Sequence, residues 1–297
     1  MSYDDFCDLS AFKEGLIYCQ RRKCESCGDP NTNKKKICSE CKRNERRSYI
    51  PQSPTKNILE LNEFDMSKIG VDKVILIIGK RNIGKTVLIK DYLYHHRDKF
   101  PIGIIMNPTE KINFCYIKHI PARFIHSSFD KSAIGRLIER QKILIKRIKD
   151  GELPSTTNIH TFVVYDANLK DWKYDNIIRT LFMDGRDLHI TFILSIQDPL
   201  RIPPGLLANT DYFFICKEPK KSNLKRLYEY YTSGFFPTLK NFIKILNKCT
   251  HKFETMVISN DINKQFFRYR SNLHLKFMMF SLTLWIDNYY MMQCLFR

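Results

Sequence analysis

No run of apolar residues in the sequence reaches the length of a bilayer span. The longest near the carboxyl end, Phe277 to Ile286, has ten residues, against the ~20 that a spanning helix needs. The first ten residues hold Asp4, Asp5 and Asp8 and no apolar segment, so no secretory leader is expected. Glycine and proline number only 11 and 12 among 297 residues, which excludes a collagen-like or low-complexity chain. Internal repeats are lacking. Negative charge is in deficit: 31 Asp and Glu face 49 Lys and Arg, a formal net charge of +18. With 43% hydrophobic and 27% charged residues, the chain can build a core and is not of disordered composition. Its length, about twice that of a typical domain, suits one large α/β domain with an appendage, or two domains. The positive excess suggests a polyanionic partner, nucleic acid before membrane, with solvated surface accounting for part of it.

Cysteine is plentiful, at 10 residues, but unevenly spread. Four crowd between residues 24 and 41, and the rest are scattered. A small secreted scaffold would distribute them as a disulfide framework, so the pattern indicates a reducing compartment. Cys24-x-x-Cys27 and Cys38-x-x-Cys41 form two pairs ten residues apart. Two such pairs can close a tetrahedral Zn²⁺ site, and Gly28 follows the second ligand where a tight turn is needed. A redox dithiol is the competing reading, and Cys19 is an alternative ligand. Apolar residues are few in this segment, so zinc would supply its folding energy. Ten basic residues against four acidic ones between 19 and 47 suit a clamp on phosphate backbone, or docking on an acidic protein. Two prolines and few large apolar residues mark a linker at about residues 48–57.

Beyond the linker, apolar strands alternate with helical patterns. Strands are expected at Val74–Ile78, Ile102–Met106, Thr161–Tyr165, Ile190–Ile196 and Tyr212–Ile215, the first as a continuous apolar run suited to a buried parallel strand. Helices are expected from about Gly84 to His96 and from Lys131 to Lys149. The second carries Ile134, Leu137, Ile138, Leu144, Ile145 and Ile148 on one face. The alternation implies a doubly wound α/β sheet, mostly parallel.

Gly79-Lys80-Arg81-Asn82-Ile83-Gly84-Lys85-Thr86 matches the phosphate-loop pattern G-x-x-x-x-G-K-[ST] at every fixed position, between a strand and a helix as that motif requires. Glycines let several N–H groups converge on one phosphate, and the helix N-terminus adds partial positive charge. Lys85 is expected to reach the β- and γ-phosphates of ATP, and Thr86 to ligate Mg²⁺. Some eighty residues on, Asp166 closes the apolar run Phe162-Val163-Val164-Tyr165 and supplies the second oxygen ligand for the metal. An ordinary strand ending in an Asp turn is the alternative. Gln197, after the fourth strand, can donate and accept, as a γ-phosphate sensor must.

These elements together resemble the FtsK–HerA superfamily of P-loop ATPases, and within it the genome-packaging ATPases of poxviruses and giant DNA viruses. The resemblance runs from about Lys73 to Phe277. Besides the phosphate loop it takes in Asn107-Pro108-Thr109-Glu110, Ile120-Pro121, Arg140-Gln141 and Val163 to Asp166. It continues through Gly185-Arg186, Gln197, Ile202-Pro203-Pro204, Asn209-x-Asp211-Tyr212 and Phe267-x-Tyr269. It implies an additional-strand, RecA-like P-loop fold over residues 58–272. An N-terminal basic zinc-binding segment would occupy 1–57, and a tail or packing helix 273–297. It further implies a homo-oligomeric ring that moves double-stranded DNA into a capsid by ATP hydrolysis, with capsid or portal-like viral proteins as partners. The setting would be host cytoplasm, a viral factory or the virion. Arg186 is then the best-placed arginine to serve a neighbouring subunit, ahead of Arg179 and Arg201.

Three positions depart from the family's pattern. Ala167 stands where a second acidic residue usually follows the metal-binding Asp, and alanine cannot orient water. Leu206-Leu207-Ala208 lacks the usual arginine, and Asp187 replaces a histidine after Gly185-Arg186. Glu110, just beyond the second strand, could orient the water in place of the missing acid, or could simply cap a helix. Two alternatives to a motor follow. One is a catalytically impaired paralogue binding ATP as a regulatory or structural subunit. The other is a zinc-dependent nucleic-acid adaptor with a nucleotide switch. From Lys217 to Lys276 basic residues interleave with aromatics, and most of those aromatics are expected in the core.

Overall fold

The computed structural model describes residues 61–166, 175–198, 202–232, 234–251, 253–260 and 265–272. Cys24, Cys27, Cys38 and Cys41 lie outside the described residues, with Ala167, Arg201 and residues 273–297.

A single eight-stranded sheet organises this part of the chain, in the order β3-β2-β4-β5-β1-β6-β7-β8. The strands are β1 (Val74–Ile78), β2 (Ile102–Met106), β3 (Ile125–His126), β4 (Thr161–Asp166), β5 (Ile190–Ile196), β6 (Tyr212–Ile215), β7 (Glu254–Ser259) and β8 (Gln265–Arg270). Neighbours from β3 through β6 pair in parallel, whereas β7 and β8 run antiparallel. Every residue of β1, β2 and β5 is buried. Because side chains alternate between faces, complete burial means that both faces are covered.

The helices form where capping and patterning agree. Helix α1 (Lys85–His95) starts inside the phosphate loop. A short turn, α2 (Glu110–Asn113), follows β2. Helix α3 (Lys131–Lys149) is capped by Asp130, whose side chain accepts from the Ala133 N–H at 2.9 Å, and its last turn carries Lys146, Arg147 and Lys149. Both features complement the helix dipole. Its buried face includes Ile134, Leu137, Ile138 and Leu144. Helix α4 (Asn176–Met183) is capped by Asp175. Next come α5 (Pro204–Leu207), α6 (Lys221–Leu227) and α7 (Leu239–Cys249).

The five strands read from the sequence are found, four with the expected bounds and β4 one residue longer. Three strands were not anticipated. β3 has two residues, too few to carry a pattern. β7 and β8 form the antiparallel extension, where Arg268 and Arg270 break the apolar rhythm of an edge strand. The aromatics of this region pack largely as core. Phe64 contacts the rings of Tyr212, Phe214, Phe267 and Tyr269. Tyr231 and Phe236 are buried, while Tyr230 is 52% exposed. Buried Asp91 of α1 accepts from the Tyr269 hydroxyl and the Asn272 N–H, tying β8 to the helix behind the phosphate loop.

Among the described residues, no helix is long and apolar enough to cross a membrane.

Candidate nucleotide site

Parallel strands all point the same way, so whatever follows β1, β2, β4, β5 and β6 gathers at one edge of the sheet. The loop Gly79–Thr86 follows β1. Asn107 and Glu110 follow β2, Asp166 ends β4, Gln197 follows β5 and Cys216 follows β6. β5 lies between β1 and β4, and Asp166 pairs in register with Ser195. This is the additional-strand arrangement expected from the sequence.

Sterics fix the loop's shape. A Cβ on Gly79 would approach Cys216 Cβ to 2.7 Å and Ile83 Cγ2 to 2.9 Å, so only glycine fits. The Gly79 N–H donates to the Ile196 carbonyl at 3.0 Å, anchoring the loop to β5. Gly84 has φ +97°, a left-handed conformation that side chains resist, and it turns the chain into α1. Lys85 is 9% exposed, and its Nζ donates to the Lys80 carbonyl at 2.7 Å. Burial pushes the Lys85 pKa down, with the Asp166 charge opposing. Lys80 and Arg81 are exposed on the same loop, and Lys80 Nζ lies 3.4 Å from Glu218. Burial drives the Cys216 thiol, beneath the loop, to a pKa of about 12, so it stays a neutral packing group.

Thr86 Oγ1 donates to Asp166 Oδ2 at 2.7 Å, joining residues 80 positions apart. The same oxygen accepts from the Tyr116 hydroxyl at 2.9 Å. Tyr116 is fully buried, and burial followed by the Asp166 charge raises its pKa well above the usual phenol value. The phenol therefore remains a donor. Sequence reasoning did not single out Tyr116, because it sits in an irregular stretch without a motif of its own.

Glu110 explains how Tyr116 reaches Asp166. Its Oε1 accepts from the Tyr116 and Ile117 N–H groups at 2.8 and 2.9 Å, and its Oε2 accepts from Asn107 Nδ2 at 3.0 Å. The residue is 6% exposed. A carboxylate engaged in this way folds the 110–117 segment and presents Tyr116. Tyr116 and Ile117 lie beyond α2, so Glu110 braces the following loop and does not cap a helix. Gln197 is half-buried directly after Ile196, whose carbonyl holds Gly79.

Arg186 is not brought to this edge. Its Nη2 lies 2.6 Å from Asp211 Oδ1, before β6 begins. At ~3.3 Å per residue, a strand the length of β5 separates the two edges by roughly 20 Å. Arg186 therefore cannot serve the phosphate loop of its own chain. Asp211, part of the Asn209-x-Asp211 element, also accepts from the Val74 N–H at 2.9 Å and pairs with Lys73. Its observed partners clamp the start of β1.

The loop geometry fits a nucleotide triphosphate: backbone curled by two glycines, a desolvated ammonium and a helix N-terminus. The metal expected beside it fits as well. Thr86 and Asp166 juxtapose hard oxygen donors of the kind Mg²⁺ takes.

No model of a known protein family matches the chain. The chain is 34% identical over 208 residues to protein L437 of Acanthamoeba polyphaga mimivirus, covering 69% of this chain and 72% of that protein. It is 29% identical over 204 residues to protein 075L of Invertebrate iridescent virus 6, covering 69% and 76%. Among solved structures, the genome packaging NTPase B204 of Sulfolobus turreted icosahedral virus 2, in complex with ATP-gammaS, superposes with a TM-score of 0.46 at 16% identity. That superposition covers 67% of this chain and 96% of B204. The conjugation coupling protein TcpA of pCW3 gives a TM-score of 0.46 at 12% identity, covering 79% and 67%.

Proposed function

We propose, for a chain that belongs to the family of the large-DNA-virus protein L437, that it binds Mg-ATP at Gly79–Thr86 and Asp166 and hydrolyses it to translocate double-stranded DNA in viral genome packaging. The observation that carries the nucleotide part is the 2.7 Å contact of Thr86 with Asp166, formed across an intervening strand beside a complete phosphate loop.

Each residue then has a task. Loop N–H groups and Lys85 bind the phosphates, and a phosphate oxygen returns to Lys85 the solvation that burial removed. Thr86 and Asp166 would hold Mg²⁺, which neutralises charge on the β- and γ-phosphates when bound. Tyr116, set by Glu110, orients the Asp166 carboxylate. Gln197, directly after β5, would read the γ-phosphate. Arg186, remote from its own loop, can act only on a neighbouring subunit, which suits a ring. Ile112, Phe114 and Ile117 are 77%, 54% and 45% exposed beside the site and offer apolar surface to such a neighbour. The positive blocks at residues 19–47, 131–149 and 217–276 supply charge for a duplex.

A second reading has one observation in its favour. Ala167 cannot polarise water, which suits a subunit that binds ATP and turns it over poorly. ATP turnover by the full chain with and without duplex DNA, with Lys85→Ala as control, separates the two. The motor reading expects stimulation by DNA that the Lys85 variant lacks. Tight binding without turnover would select the impaired paralogue.

A further inference from the structure

The sheet's other edge holds a cluster with its own chemistry. Asp72 lies two residues before β1, His160 directly before β4 and His189 directly before β5. β4, β5 and β1 are adjacent in the sheet, so the strand pairing itself brings the three side chains together. Asp72 Oδ1 is 2.9 Å from His160 Nδ1, and Asp72 Oδ2 is 3.0 Å from His189 Nδ1. The imidazoles stand edge to face with centroids 5.2 Å apart. Candidate ligand atoms of all three residues lie within 4.8 Å of one another.

The backbone beneath the cluster is fixed. The Asp72 N–H donates to Thr191 Oγ1 at 2.8 Å, and the His160 N–H to Asn158 Oδ1 at 3.1 Å. The Thr161 N–H donates to the His189 carbonyl at 2.9 Å. Asp72 and His189 both adopt positive φ, 60° and 54°, a region Asp and His tolerate better than most residues but still at a cost. The neighbouring cations are occupied elsewhere: Lys73 and Arg186 both pair with Asp211. The side chains of Asp72, His160 and His189 are 14%, 32% and 39% exposed, leaving access for an ion and for water as a further ligand.

We propose that Asp72, His160 and His189 form a binding site for a divalent cation of the zinc class. Two imidazole nitrogens and one carboxylate are donors that Zn²⁺ takes at ~2.0–2.2 Å, with an open position for water. Hard Mg²⁺ prefers all-oxygen surroundings, so this site and the nucleotide site select different metals. Binding draws the two ring nitrogens and the carboxylate oxygen onto one ion in place of their mutual hydrogen bonds. It thereby staples the starts of three strands, two of which end at the phosphate loop and Asp166. The site stands independently of the nucleotide reading.

Zinc retained by the full chain after equilibration with Zn²⁺ and gel filtration tests this. His160→Asn with His189→Asn should lower bound zinc by one equivalent, however much the Cys24–Cys41 segment holds. The same pair should abolish the part of the Zn²⁺-induced rise in Tm that survives when those four cysteines are serine. Asp72→Asn, which preserves shape, should weaken this zinc at least tenfold. Co²⁺ bound here should show weak visible bands without thiolate charge transfer. Equal zinc content in the parent and the histidine variant, with circular dichroism showing both folded, would overturn the proposal.

Discussion

At the carboxyl edge of the sheet the chain sets a desolvated lysine, two glycines and a threonine against one aspartate. At the amino edge it sets two aspartates among histidines, a lysine and an arginine. At the first edge the Lys85 ammonium donates to the Lys80 carbonyl and feels the Asp166 charge without an ion-pair contact among the described residues. The second gives each carboxylate several donors: Asp211 holds Val74, Lys73 and Arg186, and Asp72 holds His160 and His189. A buried cation favours an incoming anion, whereas carboxylates held by side-chain donors anchor the strand starts and, at Asp72, can turn an oxygen to a cation. One sheet therefore separates the nucleotide loop from the Asp211 clamp and the Asp72–His160–His189 cluster by roughly the length of a strand.

The largest effect should come from Lys85→Ala, which removes the charge-assisted contact to phosphate. Nucleotide affinity should fall at least 100-fold, about 3 kcal/mol, in a titration with a fluorescent ATP analogue, with the urea midpoint little changed. The opposite split is expected at the other edge. Asp211→Ala strands the Val74 N–H and should cost about 2 kcal/mol of stability by urea unfolding, with nucleotide affinity of the folded protein retained. If Asp211→Ala destroyed binding while leaving stability intact, the division between edges would fail.

A finer test addresses the relay from Glu110 to Asp166. Glu110→Gln and Tyr116→Phe should each weaken Mg-dependent nucleotide binding several-fold, of order 1 kcal/mol. The double variant should fall no further than the worse single, because both act through one contact. Additive losses would show that Glu110 acts separately, as a residue orienting water would.

The smallest effect concerns pH. The Lys85 pKa is lowered by burial, so its charge is lost at a pH below the ordinary lysine range. Nucleotide affinity should decline on the alkaline side from that point. In the unliganded protein the unfolded chain keeps this proton longer, so the Lys85 contribution to stability rises with pH. An affinity unchanged up to the normal lysine range would contradict the assigned desolvation.

Much of the carboxyl edge was legible in the sequence because its chemistry is local. The phosphate loop is contiguous, and Asp166 ends an apolar run that reads as a buried strand. Five strands were placed because parallel strands covered on both faces are predominantly apolar, with β1 an unbroken apolar run. Less was legible where contacts join distant, unpatterned positions. Tyr116 reaches Asp166 only through a fold closed by Glu110. Asp72, His160 and His189 share nothing in sequence except a place just before a strand, and only the strand order makes them neighbours. Arg186 sits in a recognisable Gly-Arg element, yet nothing local reveals that it lies at the far edge.

The central claim is that the carboxyl edge alone is the Mg-nucleotide site. Equilibrium binding of an ATP analogue, with Mg²⁺ and with EDTA, tests it most directly in the parent chain, Lys85→Ala, and His160→Asn with His189→Asn. Tight, Mg-dependent binding is predicted for the parent and the histidine variant, and loss in the Lys85 variant. Binding that ignores Mg²⁺, or that survives undiminished in Lys85→Ala, would contradict the account.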